Sequence, residues 1–248
     1  MKRGAVLILF FIILLLSNLV LAADVAYILA NERAVKAEIL NVFSSLNLSV
    51  QLIRDSNIRS VNLNNYKLIF VDDVRLRNTR NIPIYNYPSV IMNKYYGEEW
   101  GLTDADGISQ LASTAPLSVR LVNNGVKQVY TIAKVGSVNI PYYFLDDENK
   151  ANMESIARTY TGNSYDFGDV VATAQAGTHL INGKISGAKI CFYGIAKTKY
   201  WTNNARNLFI DCVNSVLVAC NTNSDCDDNN GYTQDVCVNP GTIESFCE

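Results

Sequence analysis

Asn93-Lys94-Tyr95-Tyr96-Gly97-Glu98-Glu99-Trp100-Gly101 brings two tyrosines, a tryptophan, a lysine and two acids into one short stretch. Aromatic rings with polar tips suit sugar or peptide recognition, because each offers a flat apolar face and a hydrogen bond. Glu98 and Glu99 admit a second chemistry. Paired with Asp72 or Asp73 at a suitable separation, they could serve as acid and base in glycoside hydrolysis. The competing reading is that Tyr95, Tyr96 and Trp100 fold the stretch down on the protein while the two acids face water. Other catalytic patterns are missing. His179 is the only histidine, so no histidine metal cluster can form, and it reads as a turn or surface residue. There is no G-x-S-x-G, no G-x-x-x-x-G-K-[ST], no G-x-G-x-x-G and no H-E-x-x-H, which argues against phosphate and dinucleotide cradles.

The elements that must hold this stretch read as an α/β pattern. DVAYILA (24–30) is a short apolar run, as expected of a buried strand. Asn31 can cap a helix that begins ERAVKAEILNVFSSLN, where Val35, Ile39, Leu40 and Phe43 make one apolar face. SVQLIRD (49–55), the end of NLNNYKLIFVDD (62–73) and PSVIMN (88–93) read as further strands. Continuous apolar strands alternating with helices predict a parallel sheet covered by helices on both faces. In such a sheet ligands bind beyond the carboxyl ends of the strands. There stand Asn31, Glu32 and Arg33, then Asp72, Asp73 and Arg75, then Asn93 to Gly101, and finally Lys197, Lys199, Tyr200, Trp201 and Thr202.

The middle of the chain is less regular. Residues 107–113 read as a short helix, and DDENKANMESIARTY (146–160) as an acid-started one. SVRLV (118–122) and KQVYTIAKV (127–135) flank Asn123-Asn124-Gly125, a hairpin signal. IPYYFL (140–145), DVVATAQAG (169–177) and AKICFYGI (188–195) read as strands, with Asn182-Gly183 as a turn, and NNARNLFIDCVNSVLV (203–218) as an amphipathic helix.

The N-terminus has the three-part layout of a secretory signal: Lys2 and Arg3, an uncharged run from Gly4 to Leu16, and Val20-Leu21-Ala22 at a cleavage position. An uncleaved membrane anchor is the alternative. Without residues 1–22 the chain keeps 19 basic against 23 acidic residues, a net charge of −4. That balance argues against a nucleic-acid partner. Three segments follow: 1–22 as signal, 23–219 as the α/β domain and 220–248 as a small module.

Cys191, Cys212, Cys220, Cys226, Cys237 and Cys247 all lie in the last 58 residues, and an even count in an exported chain reads as disulfides. A helix packed back on its sheet would bring Cys212 to Cys191. The last four allow three pairings, and zinc binding is the competing reading. Asp225, Asp227 and Asn229 alternate before Asn230-Gly231, with Asp235 beyond, as oxygen ligands do at the start of a calcium loop. Gly231 is one place late for an EF-hand, and Val236 stands where its last glutamate would be. A structural Ca²⁺ is therefore the one cofactor expected, if any. Asn47-Leu48-Ser49 is an N-glycosylation sequon.

The order of elements resembles the class I glutamine amidotransferase-like group in its broad flavodoxin-like sense. AKICFYGIAKTKYWTNNARNLFIDCV is similar to the closing strand, W-T turn and final helix of its exported relatives. The resemblance implies a three-layer, doubly wound, mostly parallel α/β sheet over residues 24–218. It also implies a nucleophilic Cys in a sharp turn after a central strand. This chain has Asn93-Lys94-Tyr95 there and no Cys before residue 191, so amidotransferase activity is not carried over. The tail resembles short Cys- and Asp-rich modules of exported and surface proteins, and loosely the thrombospondin-type calcium repeats.

The expectation is a secreted or cell-surface, non-catalytic binding module for an envelope glycan or protein. Its ligand residues would be Asn93, Lys94, Tyr95, Tyr96, Glu98, Glu99, Trp100 and Trp201. The alternatives are a glycan-directed hydrolase using Glu98 or Glu99 with Asp72 or Asp73, and a structural assembly protein. Membrane contact is expected only through an uncleaved signal segment.

Overall fold

A computed structural model describes residues 23–248 apart from 106, 123–126, 134–135, 161–165, 221 and 228–233. The signal segment, Asn229 and the Asn123-Asn124-Gly125 turn fall outside the described residues. In chain order the elements are β1 (Val25–Leu29), α1 (Ala37–Ser45), β2 (Val50–Arg54), β3 (Leu68–Val71), β4 (Ser89–Ile91), β5 (Ile108–Ser113), β6 (Leu117–Leu121) and β7 (Lys127–Ile132). Then come β8 (Ile140–Asp146), β9 (Glu154–Tyr160), β10 (Gly168–Ala174), β11 (Ile190–Tyr193), α2 (Asn203–Leu217), β12 (Cys237–Val238) and β13 (Phe246–Cys247).

Five strands run parallel in the order β2-β1-β3-β4-β11. The apolar runs VAYIL, LIFV, SVI and ICFY are buried along their whole length, as strands covered on both faces must be. Register places Tyr27, Phe70, Val90 and Cys191 on one face. The helices lie on that face. Phe43 of α1 and Phe209 of α2 meet the Phe70 ring edge-on at 5.6 and 5.8 Å. Thr202 caps α2 by accepting from the Ala205 amide, and the helix buries Leu208, Phe209, Cys212 and Val216.

Right-handed crossovers send the β2–β3 and β3–β4 links to the opposite face. There the chain makes 3₁₀ turns (Asp55–Ser60, Leu63–Asn65 and Thr79–Asn81) in place of the expected helices. Ile58, Leu63, Ile82 and Ile84 supply the buried contacts of that layer. The links are too short and too rich in Asn, Ser and Pro to sustain a helix, yet they bury enough aliphatic surface to close the third layer.

Beyond β11 the sheet turns antiparallel, in the order β10-β9-β6-β7. Two expected helices are strands here. Residues 107–113 hold β5, paired along its length with β8. Residues 146–160 hold the end of β8, a turn closed by Asn149 N–H to Asp146 O at 3.1 Å, and β9. The charges that suggested a helix belong to a cross-strand network. Asp169, fully buried on β10, accepts from Arg158, Lys150 and Ser155, and Arg158 reaches on to Asp147 and Asp166.

The sheet forks at β10. Val171 to Ala174 pair with β11, whereas Gly168 and Asp169 pair with Asp146 and Leu145 of β8. Strand β8, with β5 behind it, thus sits just past the carboxyl end of β11, where Tyr143 N–H donates to Gly194 O at 2.8 Å. Only glycine fits at Gly194, since a Cβ there would lie 1.9 Å from the Tyr143 carbonyl oxygen.

Three disulfides close the C-terminal region: Cys191–Cys212, Cys220–Cys237 and Cys226–Cys247. The first joins β11 to α2 as expected. The other two staple the tail, which docks on the domain through the Ser245 hydroxyl, an acceptor for the Ala219 amide at 2.8 Å. Among the described residues no helix is long and apolar enough to cross a membrane.

Candidate functional site

The chain leaves β1 toward β2 on one side and returns to β3 on the other, so the sheet reverses direction between β1 and β3. A crevice at such a point is where open α/β sheets hold ligands. Asp72 and Asp73 follow β3 there. Asp72 is fully buried and spoken for: Oδ2 accepts from Tyr27 Oη at 2.7 Å, and Oδ1 takes Lys36 Nζ and the Asp73 amide. Burial, reinforced by the Asp72 charge, pushes the Tyr27 hydroxyl far above the usual tyrosine range, so it stays a donor. The trio ties the entry to α1 onto the end of β3.

Asp73 is different. Its side chain is only 2% exposed, and Oδ2 lies 3.3 Å from Lys197 Nζ, beyond β11. Its Oδ1 is buried with no hydrogen-bond partner. Lys94, after β4, adds a second cation. Its ammonium lies 4.5 Å from the Tyr143 ring centroid and 5.1 Å from that of Tyr95. Burial would depress this lysine, but Tyr143, Tyr95 and the Asp73 charge outweigh it and hold its pKa above the usual value. The Tyr95 ring is 39% exposed and carries the Arg75 guanidinium at 4.8 Å. This cluster beyond the strand ends therefore gathers one desolvated acceptor, two ammonium groups and a partly exposed aromatic ring.

The rest of the aromatic stretch is scaffold. Asn93 is buried; its amide donates to Asp72 O and Val74 O, both at 2.7 Å, and its oxygen accepts from Tyr95 N–H. The Tyr96 hydroxyl donates to Leu76 O and accepts from Leu76 N–H. Trp100 is 1% exposed, with Nε1 on Thr79 O, so its ring cannot face a ligand. Trp201 donates to Ile195 O at 2.7 Å and packs on Tyr193 and Phe209, which fixes the turn into α2. All four hold the loops in place.

Glu98 and Glu99 line a separate cleft of about 610 Å³ with Arg80, Thr103, Asp104 and Asn182. Glu99 accepts from Thr79 and pairs with Arg80 at 3.5 Å. Neither Asp72 nor Asp73, the expected acid–base partners of these glutamates, lines that cleft. His179 is an exposed residue of a small hairpin, bridged to Ile185. In the tail, Asp225 closes a capping box with Thr222, so its carboxylate serves its own 3₁₀ turn.

Lys36 and Tyr143 were not legible as site residues. Lys36 looked like one of several helix charges, and its only signal was a place shortly after the first strand. Tyr143 reaches the crevice through the fork at β10, which no local pattern announces.

No family model matches the chain, and no curated protein matches its sequence. Among solved structures it is similar to a glutamine amidotransferase from Thermotoga maritima, with 8% identity and a TM-score of 0.43 over 79% of this chain and 84% of that one. It is also similar to the carbohydrate deacetylase Agd3, with 12% identity and a TM-score of 0.48 over 81% of this chain; the match spans about a third (34%) of the deacetylase. A third likeness is to the N-terminal domain of mmIFT52, with 10% identity and a TM-score of 0.39 over 76% and 95% of the two chains. These likenesses are too distant to bring a function with them. The strand order β2-β1-β3-β4-β11, with the reversal between β1 and β3, is what makes the α/β domain flavodoxin-like.

Proposed function

We propose that the chain is an exported binding module that recognises an envelope glycan in the crevice formed by Asp73, Lys94, Tyr95, Tyr143 and Lys197. The observation that carries this reading is the buried, unpartnered Oδ1 of Asp73 at the reversal point of the sheet. A desolvated acceptor without a donor is costly, and a ligand hydroxyl would satisfy it. The half-open Tyr95 ring suits the apolar face of a sugar, and Lys94 and Lys197 supply donors. Three disulfides fit an oxidising, extracytoplasmic setting, as does the signal-like N-terminus.

Isothermal titration with soluble envelope polysaccharide from the source tests the reading. Loss of a charged hydrogen bond is worth about 1.5–3 kcal/mol, so Asp73→Asn should weaken binding by roughly ten- to a hundredfold, and Tyr95→Ala should weaken it by removing the stacking ring. Glu98→Gln with Glu99→Gln should leave it unchanged. Unaltered affinity in both crevice variants would place the ligand elsewhere; binding only to an envelope protein would change the ligand class. Titrations with and without calcium also test whether Asp225, Asp227 and Asp235 contribute to an ion site.

The cleft that gathers Glu98 and Glu99 favours a second reading, a glycan hydrolase. New reducing ends from the same polysaccharide, abolished by the two glutamine substitutions, would establish it in place of the binding module.

A further inference from the structure

The two disulfides of the tail touch. The Sγ atoms of Cys220, Cys226 and Cys247 all lie within 4.8 Å of one another. The Cys237 sulfur is bonded to that of Cys220. Cys237 and Cys247 are also direct cross-strand partners in β12–β13, although each is bonded elsewhere. Four sulfurs thus share one small volume. In a tetrahedral zinc thiolate site with bonds of about 2.3 Å the sulfurs stand roughly 3.8 Å apart. Once the two S–S bonds are open, each formerly bonded pair would part by roughly 1.7 Å to reach that spacing, and the unbonded sulfurs among Cys220, Cys226 and Cys247 would close by at most about 1 Å.

Access separates these bridges from the third. Cys191 and Cys212 are fully buried between β11 and α2. Cys247 is exposed and Cys226 half-buried. A small reductant therefore reaches Cys226–Cys247 first, and the freed thiolates adjoin Cys220–Cys237 and can attack it in turn.

We propose that the four tail cysteines form a soft tetrahedral site for Zn²⁺ when reduced, mutually exclusive with the two disulfides. Each disulfide takes two electrons and two protons from one molecule of a dithiol, which leaves as its own cyclic disulfide. Four thiols result, and metal binding releases their protons to solvent. The tail has little apolar material of its own, so in the reduced state the metal would take over the stapling. The module would then be folded in two redox states and loose only when both reduced and metal-free.

The test uses the chain without its signal segment. It is treated with dithiothreitol under native conditions, freed of reductant anaerobically and titrated with Co²⁺ and then Zn²⁺. Alkylation and mass analysis should find four reactive cysteines, with Cys191–Cys212 intact. The expected result is one Co²⁺ per chain with the strong visible bands of tetrahedral thiolate coordination, bleached by one equivalent of Zn²⁺, and protection of the tail from trypsin. The oxidised chain should bind neither ion. Cys226→Ser with Cys247→Ser should lose the tetrahedral spectrum, while circular dichroism reports that the α/β domain remains folded. Octahedral, weakly coloured cobalt, or an unchanged spectrum in that variant, would overturn the proposal.

Discussion

Asp72→Ala should destabilise the protein whereas Asp73→Ala should leave its stability unchanged or raise it, although the residues are neighbours of the same type. Asp72→Ala strands three donors: the buried Tyr27 hydroxyl, the Lys36 ammonium and the Asp73 amide. Lys36 is 21% exposed and can turn to water, so most of the cost falls on the other two. Buried donors left alone cost about 1–3 kcal/mol each, and breaking a buried charge pair about 3–5 kcal/mol, so a loss near 4 kcal/mol is expected. Asp73→Ala gives up a pairing with a lysine that is itself 41% exposed, worth about 0–1 kcal/mol. It also removes a desolvated oxygen that no group satisfies, which returns about 1–3 kcal/mol. The balance is neutral or a gain of about 1–2 kcal/mol. At about 2–4 °C per kcal/mol for a chain of this size, thermal unfolding should fall by roughly 8–16 °C for Asp72→Ala and hold or rise by a few degrees for Asp73→Ala. Equal damage from both substitutions would refute the argument, because it would mean that Asp73 serves the fold and has no acceptor to spare.

Removing the buried bridge with Cys191→Ala and Cys212→Ala opens a loop of sequence separation 21 and should cost about 3 kcal/mol, read as a lower thermal midpoint under non-reducing conditions. Gly194→Ala forces a methyl group onto the Tyr143 carbonyl and should cost about 1–3 kcal/mol or more while weakening glycan binding, since Tyr143 must move. Burial pushes both Asp146 and Asp147 upward, but bonds from Arg158 and Lys150 overcome it at Asp147 and hold that group low. The stability Asp147 gives is present above its unfolded pKa and disappears as pH falls through the folded one. Asp147→Asn should therefore weaken the protein at neutral pH, and the deficit should close in acid. Asp146 titrates high despite its bond from Ser109, so its stabilising form is the protonated one, lost as pH rises. Asp146→Asn should gain stability at neutral pH and lose that advantage in acid, both followed by thermal unfolding across pH.

The parallel half of the fold was legible because strands buried on both faces need unbroken apolar runs, and Val25–Leu29, Leu68–Val71 and Ile190–Tyr193 supply them. The antiparallel half was harder. Residues 154–160 bury only Ala157 and Thr159, small side chains that leave no hydrophobic period, while Arg158 finds its partners across strands. The site was half legible. The rule that ligands gather beyond strand ends pointed to Asp73, Lys94, Tyr95 and Lys197, which the fold brings together. Composition alone cannot tell a ring that stacks on a ligand, as Tyr95 could, from rings that pin a loop, as Tyr96 and Trp100 do. That distinction depends on which backbone carbonyl lies within reach of the hydroxyl or indole.

The bridge between β11 and α2 also sets how the chain would bear a mechanical load. A pull on Glu248 passes from Cys247 through Cys226 and Cys220 toward α2. The seven residues between Cys212 and Cys220 and the five between Cys220 and Cys226 can lengthen on that path, roughly 40 Å at full extension. The force then crosses the Cys212–Cys191 bond into β11, a strand held on both sides in the middle of the sheet. A molecule tugged by its tail would stretch briefly and then stiffen, with the proposed site just beyond the end of the strand that takes the strain.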